Sequence, residues 1–339
     1  MPEIIGEYVD RLCNVEMRMK GLPRGVTYPL YEAARHKQGT PLTYLAARRL
    51  VEEVAENDSV ILLTGAGMAP WLPNGETDGP LGTASLARAV STGLGATPIY
   101  ISEERNLEPV VATSVAAGIS IVPRSDVGAR RQAALALSFP LGEEGAAEEA
   151  RQILDEFQPK AVIAIEKIGP NEKGIFHSVM GVEIPAESQA HVYHLTQEAQ
   201  RRGILTIGIG DGGNELGYGL IAEDVKELQD YGKHCQCPCE SGIATVESTE
   251  VLVSAAVSNW GAYGVSACLA FMLGDSEVLH DTYTEYRMLE ACATAGALDG
   301  VYGTQILAVD GINWRTQQSL ITMLHSIVSN GLKEFQRPF

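Results

Sequence analysis

The sequence predicts an α/β fold: a mainly parallel, Rossmann-like doubly wound sheet with helices on both faces and an N-terminal helical appendage. Three observations point there. Short, continuously apolar runs recur along the chain, as strands buried on both faces of a parallel sheet require. Stripes of apolar residues at helical spacing separate those runs, and polar, glycine-rich loops follow several of them. The 339 residues are 45% apolar and 20% charged, enough to close a large core. Residues 1–57 are expected to form a helical segment packed on that core, and residues 58–339 the α/β domain.

The first clear element is a helix over Thr43–Ala55, where Ala47, Leu50, Val51 and Val54 share a stripe before the polar break Glu56-Asn57-Asp58-Ser59. The strand Val60-Ile61-Leu62-Leu63 follows and ends in Thr64-Gly65-Ala66-Gly67. Further strands are predicted at Thr97–Ile101, Ile119–Val122, Ala161–Ile165, Ile204–Ile209, Val251–Val257 and Gln305–Val309. Between them, one helix carries Leu86, Val90 and Leu94 with Thr83 as its N-cap, and another carries Ala150, Leu154 and Phe157. The stretch Ala222–Glu247 fits neither period.

Net charge is -18, from 43 acidic and 25 basic residues, which opposes binding to nucleic acid because phosphate neutralisation needs clustered Lys and Arg. An anionic ligand would need a local cation, a helix N-terminus or a metal to hold it. No run approaches the roughly 18 apolar residues of a membrane span, and Met1–Asp10 carries early acids where a leader would be basic, so a soluble, cytoplasmic protein is expected. The six cysteines, 13, 235, 237, 239, 268 and 292, are too sparse for a disulfide scaffold, and reduced thiols are expected.

Ligands of open α/β sheets bind outside the carboxyl ends of the strands, so polar loops that follow strands are the candidate site. The first contains Gly75-Glu76-Thr77-Asp78-Gly79-Pro80, where Glu76 and Asp78 beside a helix start can hold a hard cation or a substrate amine. The second, Glu166-Lys167-Ile168-Gly169, leads to Phe176-His177: Glu166 can ligate metal or accept a proton, Lys167 can meet a carboxylate, and His177 can exchange protons near neutral pH. The third, Gly210-Asp211-Gly212-Gly213-Asn214-Glu215-Leu216-Gly217, is expected to open a helix. Its glycines let Asp211, Asn214 and Glu215 converge and expose the amides of Gly212 and Gly213 to an anion. The fourth, Val257-Ser258-Asn259-Trp260-Gly261, offers Ser258 and Asn259 for ligand hydrogen bonds. Each loop also has a structural reading as turn, cap or solvated connection.

The run His234-Cys235-Gln236-Cys237-Pro238-Cys239 lacks the CxxC spacing of a zinc knuckle and has no second cysteine pair at normal distance, so metal binding there is the minority reading. The other histidines, 36, 191, 194, 280 and 325, read as surface or satisfied core groups.

The third and fourth loops together resemble the C-terminal domain of the D-glutamate cyclase family. The Glu76-Thr77-Asp78-Gly79-Pro80 run, the Glu166 loop, Tyr286-Arg287-Met288-Leu289-Glu290, Gly300-Val301-Tyr302-Gly303 and Val309-Asp310-Gly311 resemble it in the same order, across residues 40–330. The chain looks like a stand-alone, bacterial-type version without the hydratase-like half and transit peptide of mitochondrial members; the Cys239 region departs from the pattern.

The resemblance implies a lyase that interconverts D-glutamate with 5-oxo-D-proline and water, a small dicarboxylate amino acid as partner, and no organic cofactor. Attack of the amine on the γ-carboxyl group requires proton removal and a blunted carboxylate charge, so Mg²⁺ or Mn²⁺ is expected. The inferred roles are Glu76, Asp78, Asp211 and Glu215 as metal ligands, and Glu166, His177, Asp211 and Glu215 as acid/base groups. Gly212, Gly213, Asn214, Ser258, Asn259 and Lys167 would bind substrate. Two rival readings stay open: a nucleotide- or phosphate-dependent enzyme acting on an amino acid, disfavoured by the missing Walker lysine, and a non-catalytic amino-acid sensor. Homo-oligomerisation is left open.

Overall fold

A computed structural model describes residues 1–18, 23–126 and 130–333. Strands β1 (Ser59–Thr64), β2 (Thr97–Ser102), β3 (Ser120–Ile121), β4 (Ala133–Ser138), β5 (Ala161–Ile165), β8 (Leu205–Gly210) and β9 (Val251–Ser254) form one sheet in the order β3-β4-β2-β1-β5-β8-β9. Every pairing in it is parallel. The chain builds outward from β1 to the β3 edge, then crosses back to lay β5 on the other side of β1. The switch point of this doubly wound sheet therefore lies between the carboxyl ends of β1 and β5. Two small antiparallel pairs, β6 (Phe176–His177) with β7 (Glu183–Ile184) and β10 (Ala308–Val309) with β11 (Ile312–Asn313), stand outside the sheet.

The helices are α1 (Pro2–Cys13), α2 (Thr27–Gln38), α3 (Leu42–Glu53), α4 (Pro80–Ala89), α5 (Glu104–Ala116), α6 (Ala146–Phe157), α7 (Tyr193–Arg201), α8 (Ala222–Leu228), α9 (Ser258–Leu273), α10 (Thr282–Thr294) and α11 (Trp314–Leu332). Successive residues of a strand face opposite sides, and the core divides accordingly. Ile61 and Leu63 of β1 pack with Ala150, Ile153 and Leu154 of α6 and Leu195 of α7. Val60 and Leu62 enter the larger core with α3, α4, α5 and α9. Thus the unbroken apolar run of β1 is buried from both sides, as its composition requires.

The N-terminal helices join that larger core. Helix α9 is apolar all round, and its Gly264 lies so close to α1 and α3 that a Cβ there would sit 2.7 Å from Thr43 Cγ2 and 3.0 Å from Cys13 Sγ. The anchor is the buried Asp10 of α1, whose carboxylate accepts hydrogen bonds from the amides of Leu42 (2.6 Å) and Thr43 (3.1 Å), the Thr43 hydroxyl (2.5 Å) and the Tyr31 hydroxyl (3.2 Å). It satisfies the free N–H groups at the start of α3 from a different helix.

The expected elements differ from the structure in four places. The run Ala133-Ala134-Leu135-Ala136-Leu137-Ser138 has the alanine content of a helix, yet tertiary pairing makes it β4. Gln305–Val309 contributes only β10, to a hairpin beside the main sheet. Thr83 is no N-cap: α4 starts at Pro80, and the Thr83 hydroxyl donates to the Gly79 carbonyl inside the first turn. The glycine-rich segment 211–217 opens no helix directly; a short 3₁₀ turn at Gly219–Ile221 intervenes before α8. All six cysteines are free, and among the described residues no helix is long and apolar enough to cross a membrane.

Replacing Asp10 with alanine leaves the amides of Leu42 and Thr43 buried without their acceptor and removes the partner of the Tyr31 hydroxyl. The substitution is expected to lower unfolding free energy by about 2–4 kcal/mol, read as a lower urea midpoint with unchanged slope.

Candidate functional site

A cavity of about 520 Å³ opens at the switch point. Its floor is built from loops after β1, β5 and β8, and its far wall from the segments around Gly300 and Asp310. Glu76, Glu166, Asp211, Asp310 and Arg18 reach it, as does Asn214. Met68, Trp71 and Leu72 on one side, and Val179, Met180 and Ile184 of the β6–β7 hairpin on the other, give it an apolar rim.

Two helix starts are laced together beneath this cavity. Asp78 Oδ1 accepts from the Asn259 amide (2.8 Å) and Oδ2 from the Ser258 amide (3.0 Å), at the N-terminus of α9. Asn259 Oδ1 in turn accepts from the amides of Gly79 (2.9 Å) and Gly82 (2.6 Å), at the N-terminus of α4, while its Nδ2 donates to the Thr77 carbonyl (3.0 Å). Each side chain caps the other's helix. The approach is close enough that a Cβ on Gly82 would lie 2.8 Å from Asn259 Cα, which explains the glycine. Asn259 is thereby spent on structure and does not line the cavity, whereas Ser258 turns its hydroxyl to Glu166 Oε2.

The glycine loop is likewise closed by its own side chain. Glu215 Oε1 accepts from the amides of Asp211 (2.8 Å) and Gly212 (2.7 Å), and Oε2 from that of Gly213 (2.7 Å). The amides of Gly212 and Gly213, expected to meet a ligand, are occupied by this carboxylate. Asn214 donates to the His177 carbonyl (2.8 Å), while its Oδ1 is buried without a partner. Lys167 points away from the cavity: its Nζ contacts both oxygens of Glu103 at 2.6 Å and the Gly65 carbonyl at 2.9 Å. Both members of that pair are 1% exposed. His177 also lies elsewhere, with Nε2 3.3 Å from Cys237 Sγ.

What remains in the cavity is a concentration of carboxyl groups around one guanidinium. Arg18 ion-pairs with Asp211, lies 3.0 Å from Asp310 and donates to the Ala256 carbonyl. Burial opposes its charge, but Asp211 and Asp310 more than offset this, and Arg18 stays protonated. Burial, then Asp310 and Asp211, hold Glu76 and Asp78 well above the usual carboxylate range; burial, then Asp211 and Glu215, do the same for Glu166. Burial raises Asp211 despite Arg18, and raises Asp310 to about 7. Asp78, Glu166 and Asp211 each present an oxygen within 4.8 Å of the others, a hard-donor set suited to a divalent cation.

Glu166 (φ 46) and Asp310 (φ 52) both adopt the left-handed region that side chains usually avoid, at the ends of β5 and β10. At Asp310 the turn explains it: Val309 pairs with Ile312, so Asp310-Gly311 is a two-residue hairpin loop that needs positive φ at both positions. Asp310 stood in the late motif but carried no assigned role; the signal available was an acid at a strand end followed by glycine. Arg18 had no local signal: it lies 193 residues from Asp211.

A family model described as "D-glutamate cyclase-like, C-terminal" matches residues 30–325. A stretch of 81 residues is 38% identical to human mitochondrial D-glutamate cyclase, covering 24% of this chain and 12% of that protein. Among solved structures, an Agrobacterium tumefaciens 3-oxoacyl (acyl-carrier-protein) reductase with NADP bound is 11% identical, with 72% of this chain and 68% of that one covered at a TM-score of 0.27. An E. coli tRNA N6-threonylcarbamoyladenosine dehydratase in complex with AMP is 13% identical, with coverages of 71% and 93% and the same TM-score. Overlap at that level bears on neither fold detail nor function.

The raised carboxyls predict a pH dependence. Asp310 holds its proton in the folded protein from its ordinary 3.8 up to about 7, a range in which the unfolded chain has lost it. The folded state therefore binds more protons, and stability falls as pH rises through that window. In chelator, the thermal midpoint is expected to drop between about pH 4 and 7, and Asp310→Asn to flatten the drop. A midpoint that climbs over the same range in the wild type contradicts the electrostatics.

Proposed function

The chain belongs to the D-glutamate cyclase-like, C-terminal family, and from that premise we propose that it is a lyase closing D-glutamate reversibly to 5-oxo-D-proline and water in the acidic cavity. The observation that carries this reading is the pairing of a buried, charged Arg18 with carboxyl groups of raised proton affinity at the switch point of the sheet.

The reaction forms a bond between the α-nitrogen and the γ-carboxyl carbon and breaks one C–O bond of that carboxyl group. Two protons leave the ammonium nitrogen and two reach the departing oxygen. A carboxyl group raised to about 7, as Asp310 is, suits both transfers, since it accepts and releases protons at similar cost near neutral pH. We assign these transfers to Glu76 and Asp310. Asp310, raised to about 7, is the better matched of the two.

Arg18 Nε is buried without a hydrogen-bond partner and is our donor to the substrate α-carboxylate; Asn214 Oδ1, equally unpartnered, is the acceptor for the ammonium. Together they orient the chain for ring closure. Asp78, Glu166 and Asp211 would hold Mg²⁺ or Mn²⁺, which when bound supplies positive charge against the γ-carboxylate. Ser258, through its bond to Glu166 Oε2, orients that carboxylate. Met68, Trp71 and Met180 give the substrate's methylene groups an apolar rim to pack against. The reaction moves no electrons and requires no organic cofactor. His177, Lys167 and Glu215 act on structure in this scheme.

The test is lactam formation from each glutamate enantiomer, followed by NMR with and without Mn²⁺. D-Glutamate is expected to react, and Glu166→Gln and Asp211→Asn to slow it at least about 100-fold while the protein stays folded. Unchanged rates in both folded variants, or no turnover of D-glutamate with Mn²⁺ present, overturn the proposal.

A further inference from the structure

Outside the acidic cavity, the stretch that fitted no period in the sequence holds a second cluster. Between α8 and β9 the chain runs through residues 229–250 without a helix or strand, a length that needs some other means of holding its shape. At its centre, Cys235, Cys237 and Cys239 turn their sulfurs together and meet His177 from the β6–β7 hairpin. Cys235 Sγ lies 3.4 Å from Cys237 Sγ and 3.3 Å from Cys239 Sγ, and His177 Nε2 lies 3.3 and 3.7 Å from Cys237 and Cys239. One atom from each of the four residues falls within 4.8 Å of all the others.

These separations are too long for disulfides, and all three cysteines are free. They match a tetrahedral ion: zinc bonds of about 2.3 Å to sulfur and about 2.0 Å to nitrogen place ligand atoms about 3.5–3.8 Å apart. The sulfurs are the only hydrogen-bond partners of the His177 ring among the described residues, and Asn171 Nδ2 approaches Cys239 Sγ at 3.5 Å, as an outer donor to a thiolate does.

We propose that His177, Cys235, Cys237 and Cys239 form a closed, four-coordinate structural zinc site that ties the β6–β7 hairpin to the 229–250 loop. The hairpin needs such a tie. Each of its strands has two residues, and the apolar cluster beneath it contains only Ile168, Phe176 and Ile184 as buried members. The same hairpin supplies Val179, Met180 and Ile184 to the cavity wall, and the His177 carbonyl receives the Asn214 side chain. The ion would thus set the shape of one side of the cavity from a distance, through protein alone. Because all four positions are protein ligands, it would take no substrate.

Protein purified without chelator is expected to contain about one zinc per chain by elemental analysis, and cobalt exchanged into it to show thiolate charge-transfer and tetrahedral d–d bands. The carboxylates of the cavity hold only oxygen donors and give no thiolate band, so a metal bound there is distinguished. Cys237→Ser combined with Cys239→Ser is expected to lower bound zinc at least about tenfold and to depress the thermal midpoint. Chelation of the wild-type protein gives the same two losses and decides the matter if the variant does not fold. Folded wild-type protein lacking metal, cobalt without thiolate bands, zinc retained in the double variant, or a disulfide among the three cysteines overturns the proposal.

Discussion

The organising constraint is the burial of like charges. Glu76, Asp78, Glu166, Asp211 and Asp310 converge on the end of a sheet with Arg18 as the cation among them. In water such a set would repel weakly; out of water it repels strongly, and the carboxyls respond by holding protons far above their ordinary range. The cluster is therefore unstable with respect to its own ionisation. Its persistence depends on the surrounding framework and on whatever positive charge enters.

That framework is supplied by side chains turned back on the backbone. Asp78 and Asn259 cap each other's helices, and Glu215 fills the glycine loop that it terminates. Asp10 performs the equivalent task for the N-terminal helices. Asn259, Glu215 and Asp10 thereby satisfy amides that would otherwise be buried unpaired, while Asp78, which caps α9 as well, keeps an oxygen within 4.8 Å of oxygens of Glu166 and Asp211. Lys167 follows the same logic, neutralised by Glu103 between β2 and α5. The cavity's chemistry is left to the groups whose hydrogen-bonding capacity the fold does not consume: Arg18 Nε, Asn214 Oδ1 and the raised carboxyls.

The two halves of the cavity are held differently. The β1 and β5 side rests on the main core, with strand residues fully buried on both faces. The hairpin side has a small apolar cluster and leans on the loop that carries the cysteines, through Gln236, whose amide donates to the Gly181 carbonyl (2.8 Å) and whose side chain donates to that of Met180 (2.7 Å). The floor of the cavity thus rests on the main core, and its hairpin wall on a small apolar cluster and the contacts of Gln236.

From the sequence by itself came the parallel α/β architecture, because apolar runs and helical stripes are local and periodic, and the grouping of Glu76, Glu166 and Asp211, which lie in loops that follow strands and which the structure brings to one cavity. The family resemblance was legible in the same loops. Local pattern failed where pairing overrode propensity, as in the alanine-rich β4, and it could not show which polar groups the fold would use up. That was decided by contacts between residues roughly 90 to 240 positions apart: Ser258 with Glu166, Asp78 with Asn259, Arg18 with Asp211 and Ala256. Residue type states what a side chain can bond to; only the packed chain determines which partner lies within reach, and hence which groups are left for chemistry.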